Sequence, residues 1–191
     1  MKTFNFDEKK AQKAISLLLE SFGEDLNREG IKRTPERVAQ FYKEALSGYA
    51  GDPLKIASVS YETEDYEEIV LVKDVAFYSL CEHHLLPFFG KAHIAYIPKK
   101  DAVIGVSKLI RLVEVFANRL QLQERLTKQI ADTIMESVKP RGVMVALEAE
   151  HLCMTMRGVK KPGSKMLTSA MRGIFLKDVR TRNEALSLLK S

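Results

Sequence analysis

Both cysteines of this chain sit beside histidines, in two short clusters far apart in sequence: Cys81-Glu82-His83-His84 and His151-Leu152-Cys153. Together the clusters hold three of the four histidines. Thiolate and imidazole are the donors that a zinc ion selects. A metal site built from both clusters requires the chain to fold position 81 against position 153. With two cysteines, a cage of three or four cysteines within one chain is excluded. Cys81, one histidine of the first cluster and Cys153 make a three-ligand set. That set leaves the fourth tetrahedral position to water, the pattern of a catalytic zinc. The same residues also allow a Cys81–Cys153 disulfide, or two buried free cysteines with incidental histidines. The low cysteine count and the lack of a signal peptide weigh against the disulfide.

Alternation along a strand puts side chains at i and i+2 on one face. Val143, Val145, Leu147, Ala149, His151 and Cys153 share one parity. A strand running through them would aim His151 at whatever Cys153 binds. In the first cluster, the consecutive His83 and His84 point in different directions, so one can ligate while the other faces a reacting molecule.

The 191 residues suit one domain with an appendage, able to bury ~70% of the surface of the unfolded chain. A hydrophobic content of 46% with 29% charged residues is ordinary for a soluble globular protein. No apolar run is long enough for a transmembrane helix, so no membrane partner is expected. Asp7, Glu8, Lys9 and Lys10 interrupt the N-terminus where a signal peptide needs its apolar core, which makes the cytoplasm the expected location. The net charge of +5 is uneven: the window from Arg157 to Arg182 carries +7, and the rest sums to about −2. A basic window just after a proposed ligand points to an anionic substrate. A solvated basic face is the competing reading. Nucleic acid is not expected, because no binding motif accompanies the charge.

The first third reads as helical. Asp7 caps a helix with the stripe Ala11, Ala14, Ile15, Leu18, Leu19 and Phe22, stopped by Gly23. Thr34-Pro35-Glu36 starts a second, with Thr34 as cap and Val38, Phe41, Tyr42, Ala45 and Leu46 as its buried face. Residues 51–67 read as an irregular linker, dividing a helical region 1–67 from a main body 68–191. The body opens with strands over 68–79 and 90–98. A helix from near Ser107 follows, carrying Val106, Leu109, Ile110, Val113, Phe116, Ala117 and Leu120. The next carries Leu122, Leu126, Ile130, Ile134 and Val138, stopped by Pro140 and Gly142. The strand of His151 comes next, then a β segment over 165–176 and a charged helical tail. The order ββααββ after a helical N-terminus is α+β. Lys108 and Arg111, near the start of the helix at Ser107, with its free N–H groups, offer a phosphate site. His93 is expected to be structural, and Met154 and Met156 to fill space rather than ligate.

Several ordered motifs strongly resemble the GTP cyclohydrolase I family: Ser79-Leu80-Cys81-Glu82-His83-His84, Gly90-Lys91-Ala92, Tyr96-Ile97-Pro98, Ile104-Gly105-Val106-Ser107-Lys108, Gln123-Glu124-Arg125-Leu126-Thr127 and His151-Leu152-Cys153-Met154-Thr155-Met156-Arg157-Gly158. The similarity runs from about Asn27 to Phe175 and includes Arg33-Thr34-Pro35-Glu36-Arg37-Val38. It implies a tunnelling fold, an antiparallel sheet with helices on one face, assembled as a homodecamer with active sites at subunit interfaces. It implies zinc (Zn2+) as cofactor and GTP as substrate, converted with water to 7,8-dihydroneopterin triphosphate and formate. Carried over residue by residue, Cys81, His84 and Cys153 are the zinc ligands, and His83 and His151 the acid–base pair, with Ser107 a further proton carrier. Glu124 holds the guanine ring, with Gln123 as a further substrate-binding position. Ser107, Lys108, Arg111 and Arg157 match ribose and triphosphate positions, and Arg37 one supplied across an interface. Leu120 stands where many relatives carry proline, and Val106 where leucine is frequent. Pterin synthases of similar architecture bind zinc through three histidines, unlike this donor set. A non-catalytic zinc module would need a fourth protein ligand.

Overall fold

In the computed structural model, residues 4–61, 66–99 and 103–190 are described. Helices α1 (Glu8–Ser21), α2 (Thr34–Ala45) and α3 (Pro53–Ala57) precede the two-residue strand β1 (Ser60–Tyr61). Then come β2 (Val70–Cys81), β3 (Pro87–Ile97), β4 (Val103–Ile104), α4 (Val106–Ala117), β5 (Leu120–Gln121) and α5 (Gln123–Val138). The chain finishes with β6 (Gly142–His151), α6 (Leu152–Thr155), β7 (Lys165–Gly173), α7 (Ile174–Lys177) and α8 (Val179–Lys190). The protein is α+β. Among the described residues no helix is long and apolar enough to cross a membrane.

The main sheet has the order β5-β2-β3-β6-β7, antiparallel except for the two-residue parallel pairing of β5 with β2. Alternation sorts its side chains. Ile94, Tyr96, Val143, Val145 and Leu147 face α4 and α5, whose Leu109, Leu112, Val113, Phe116, Leu126, Ile130 and Ile134 complete the main core. Tyr96 is fully buried, and its hydroxyl accepts from the Ile104 N–H at 2.9 Å, which satisfies a polar group the core would otherwise strand. The alternate residues Ala95, Ile97 and Met144 meet Phe175 and Ala185 of the C-terminal helices. Helices therefore cover both faces at that end, where one covered face was expected. Near the start of β3, Gly90 lets the strand approach β6 closely: a Cβ there would lie 1.9 Å from the Glu148 carbonyl oxygen.

β2 is interrupted by a bulge between Val72 and Val75, with Asp74 at φ 61°. The Asp74 N–H donates to His93 Nδ1 at 3.2 Å, and Lys91 pairs with the Asp74 carboxylate at 2.8 Å. His93 thus has the structural place expected of it.

Other expectations need correction. The helix at Thr34 takes Arg33 rather than Thr34 as its N-cap, with no side-chain cap bond. The stripes of α1 and α2 are not core: α1 buries no residue, α2 only Ala39, and Phe22 and Phe41 are exposed. The two helices pack on each other, and one chain offers no third layer to cover them. Residues 51–67 are not wholly irregular, because α3 lies there and Ala57 joins the main core; positions 62–65 fall outside the described residues. Leu120 leaves its helix for β5, and the segment expected as strand to 176 turns helical after Gly173, whose φ of 61° suits glycine.

Candidate active site

Hydrogen bonding at the end of β2 shapes the first cluster into a tight loop. Leu85 N–H donates to the Cys81 carbonyl at 2.8 Å, and Cys81 N–H to the Leu86 carbonyl at 2.9 Å. Leu85 takes the left-handed conformation, φ 55°, that turns the chain back into β3. β3 pairs with β6 so that Phe88 lies opposite His151. Strand β6 ends there. Residues 152–155 form a helical turn, so Cys153 does not continue the strand's alternation as the sequence pattern had it. The turn, not the strand, carries its thiol to the first cluster.

Donor atoms of Cys81, His84 and Cys153 lie within 4.8 Å of one another. Cys81 Sγ is 3.9 Å from His84 Nδ1, and Cys81 is buried while His84 is exposed. Both cysteines are free thiols, which excludes the disulfide reading in this structure. Burial pushes the Cys153 thiol up from its ordinary value, and the neighbouring Cys81 pushes the same way. A divalent cation reverses that balance, because a coordinating thiol gives up its proton. Two thiols and an imidazole are a donor set that fits zinc.

His151 sits beside this cluster, half-buried, its ring stacked on Phe88 at 4.5 Å and 1°. Its Nε2 is 2.8 Å from Gln123 Oε1. Burial holds its pKa below the ordinary histidine value, and the Glu124 charge only partly opposes this. His83 is exposed, edge-on to His84 with ring centres 6.2 Å apart. Arg157 reaches the same place, with Nη1 3.1 Å from His84 Nε2. At the start of α5, Gln123 is buried and Glu124 exposed. Glu124 lines an open cavity of about 550 Å³ with Thr127, Lys128, Thr168 and Arg172.

Ser107, Lys108 and Arg111 are not brought to this cluster. The C-terminal end of α4 is the end near the Cys81 end of β2, where Ser79 Oγ donates to the Ala117 carbonyl at 2.7 Å. Twelve helical residues at about 1.5 Å each separate the ends by about 18 Å. Ser107 and Lys108 occupy the far end, and Arg111 faces a shallow cavity with Glu114 and Asn118. Arg37 lies exposed on α2. Within one chain the anion-binding candidates are divided, with Arg157 alone beside Cys81, His84 and Cys153.

Sequence reasoning assigned no part to Phe88, or to the ion pair of Glu82 with Arg125. Arg125 also donates to the Leu120 carbonyl at 2.9 Å and to Gln121 Oε1 at 3.0 Å, and Glu82 N–H donates to the Gln121 carbonyl at 3.1 Å. The loop of Cys81 to His84 is thereby tied to the segment that opens α5. Glu82 and Arg125 both fall inside the family motifs, which was the available signal; nothing local marks Phe88.

Fold and site define a class: an α+β protein with two cysteines and a histidine grouped so that they could hold a metal ion, and a half-buried histidine beside them. The sequence model of the GTP cyclohydrolase I family matches residues 11–190. GTP cyclohydrolase 1 of Carboxydothermus hydrogenoformans is 61% identical over 183 residues, 96% of this chain and 95% of that protein. The enzymes of that name from Pelotomaculum thermopropionicum (60%, 97% of this chain and 98% of that one) and Clostridioides difficile (57%, 96% of each) are similarly close. The chain belongs to the GTP cyclohydrolase I family, a family of hydrolases.

Proposed function

We propose that this enzyme converts GTP and water to 7,8-dihydroneopterin triphosphate and formate, as a first step towards folate and other pterins. The observation that carries the reading is the convergence of Cys81, His84 and Cys153 within 4.8 Å, with His151 held beside them. Those three residues hold zinc. A bound zinc supplies Lewis acidity, by which water becomes nucleophilic near neutral pH. Water adds at guanine C8, and opening the imidazole ring requires protons at the ring nitrogens. His151 and His83 move them, with Ser107 serving the later sugar rearrangement. Burial favours neutral His151, which suits it to accept a proton.

Glu124 reads guanine, since one carboxylate accepts from N1–H and the exocyclic amine together. Its exposed position beside an open cavity is compatible with a site completed by another subunit. Lys108, Arg111, Arg157 and Arg37 balance the triphosphate. The distance between the two ends of α4 supports a shared site, with Ser107, Lys108, Arg111 and Arg37 contributed by neighbours in a homodecamer of tunnelling-fold subunits. The uncovered stripes of α1 and α2 and the open edge of β7 are further surfaces for assembly. Incubation of the zinc-loaded protein with GTP, following formate and the fluorescent pterin formed on oxidation, tests the reading. Zinc-replete protein that releases neither would overturn it.

A further inference from the structure

We propose that Gln123 is a positioning residue acting through His151: its amide dictates which ring nitrogen of His151 carries the proton. The inference rests on His151 being a proton carrier, as read above. Gln123 is 1% exposed, which leaves no face for a substrate to touch in this chain. Its Nε2 lies 3.1 Å from the Leu147 carbonyl, 3.0 Å from the Met166 carbonyl and 3.1 Å from Thr168 Oγ1. Carbonyl oxygens only accept, so the NH₂ end of the amide must be the end that faces them. The amide oxygen is therefore turned towards His151 Nε2, at 2.8 Å. That oxygen also only accepts. Nε2 must carry the hydrogen.

The surrounding hydroxyls make the orientation self-consistent. Thr127 Oγ1 donates to the Gln123 backbone carbonyl at 2.7 Å, which leaves it free to accept from Thr168 Oγ1 at 2.6 Å. Thr168 Oγ1 then accepts from Gln123 Nε2. Every hydroxyl proton in the loop has one place to go, and a flipped amide would set its oxygen against two carbonyl oxygens in a buried site. Stacking on Phe88 holds the ring plane. A neutral imidazole with its hydrogen on Nε2 keeps its lone pair on Nδ1, which makes no hydrogen bond to the described residues. Nδ1 is thus the exchanging atom. It takes a proton from water as the water oxygen bonds to guanine C8 and the C8=N7 π pair moves to N7, and delivers it to N7. It then takes the hydroxyl proton as the C8 carbonyl forms, and passes it to N9 as the C8–N9 bond breaks.

A double-mutant cycle on the zinc-loaded enzyme with GTP tests this. Gln123→Met should keep zinc, leave KM within about twofold, and lower kcat by on the order of 10²-fold, at the low end for general acid–base groups. In a His151→Ala background the same change should lower kcat no further. A raised KM, or a loss that persists without His151, would mean that Gln123 meets the substrate directly, and the proposal would fall. A second measurement needs no Gln123 variant: ¹⁵N imidazole spectra of histidine-labelled wild-type holoenzyme, with His151→Ala for assignment. A protonated Nε2 and bare Nδ1 are expected, and the reverse tautomer overturns the proposal. Wild-type protein inert towards GTP would instead remove the catalytic reading, leaving the tautomer measurement to stand or fall by itself.

Discussion

Phe88 and His151 face each other across the β3–β6 ladder with their rings parallel to within 1° and 4.5 Å apart. Phe88 is fully buried and also meets Phe77 edge-on at 6.0 Å, so one ring belongs at once to the core and to the wall of the candidate site. The orientation of His151 is consequently set by the same packing that stabilises the sheet.

Phe88→Leu should therefore separate the two roles. Volume is partly kept, so the protein should fold with a modest loss of stability, whereas Phe88→Ala should cost roughly 3–5 kcal/mol. Loss of the stacking partner frees the imidazole, and kcat should drop in Phe88→Leu while zinc content holds. Denaturant melts, metal analysis and GTP turnover on the two variants check this. Unaltered kcat in Phe88→Leu would show that the stack does not orient His151.

Zinc should be present at close to one per chain, and Cys153→Ala should lose most of it. Metal analysis of the purified variant decides the matter. Full retention would mean that Cys153 is not a ligand.

Arg125 ties the loop of Cys81 to His84 to the start of α5 through Glu82, Gln121 and Leu120. Groups that support metal ligands from outside typically affect metal affinity 10–100-fold. Arg125→Gln should weaken zinc by about tenfold, measured by competition with a chelator. Wild-type affinity would reduce the pair to surface decoration.

His93 supplies a pH dependence of stability. Burial lowers its pKa; Asp74 and Glu148 oppose that shift, while Lys91 and Lys73 reinforce it. Because Nδ1 accepts the Asp74 N–H, protonation at that nitrogen breaks the bond. With the folded pKa depressed, the unfolded chain binds the proton first as pH falls. His93 therefore contributes its full stability above the unfolded value of about 6.5 and loses it as pH falls from there through the folded pKa. Thermal unfolding of wild type and His93→Asn between about pH 7 and 5 should show a shallower slope in the variant. Identical slopes would contradict it.

Glu124→Gln replaces an acceptor with a donor at constant shape. GTP should bind more weakly while zinc content is unchanged, and sites of this kind discriminate by factors of ~10⁴ or more against analogues that leave polar groups unpaired. Normal GTP affinity would leave Glu124 as a favourable charge at a helix N-terminus.

Local signals determined much of this protein. Asp7 caps α1 as its position predicts, accepting from Lys10 N–H at 2.9 Å. The apolar periods of α4 and α5 bury Leu109, Val113, Leu126, Ile130 and Ile134 as read. The donor types, two thiols and one histidine of the first cluster, were evident from residue identity, because chemistry travels with it; the resemblance alone singled out His84. What needed the tertiary structure was distance and burial. Periodicity says which residues share a face but not what covers it, so the stripes of α1 and α2 read as core and are surface. Alternation carried the strand on to Cys153, although the chain turns helical at Leu152. Gln123 was read only through the resemblance, as a substrate-binding position beside Glu124, and only the packing of α5 against β6 and β7 shows its amide enclosed by two carbonyls, a hydroxyl and His151. Ser107 and Cys81 belong to motifs of one family, yet the length of α4 holds them apart within a chain. A sequence records the identity and order of its groups, whereas a shared site depends on where folding places them.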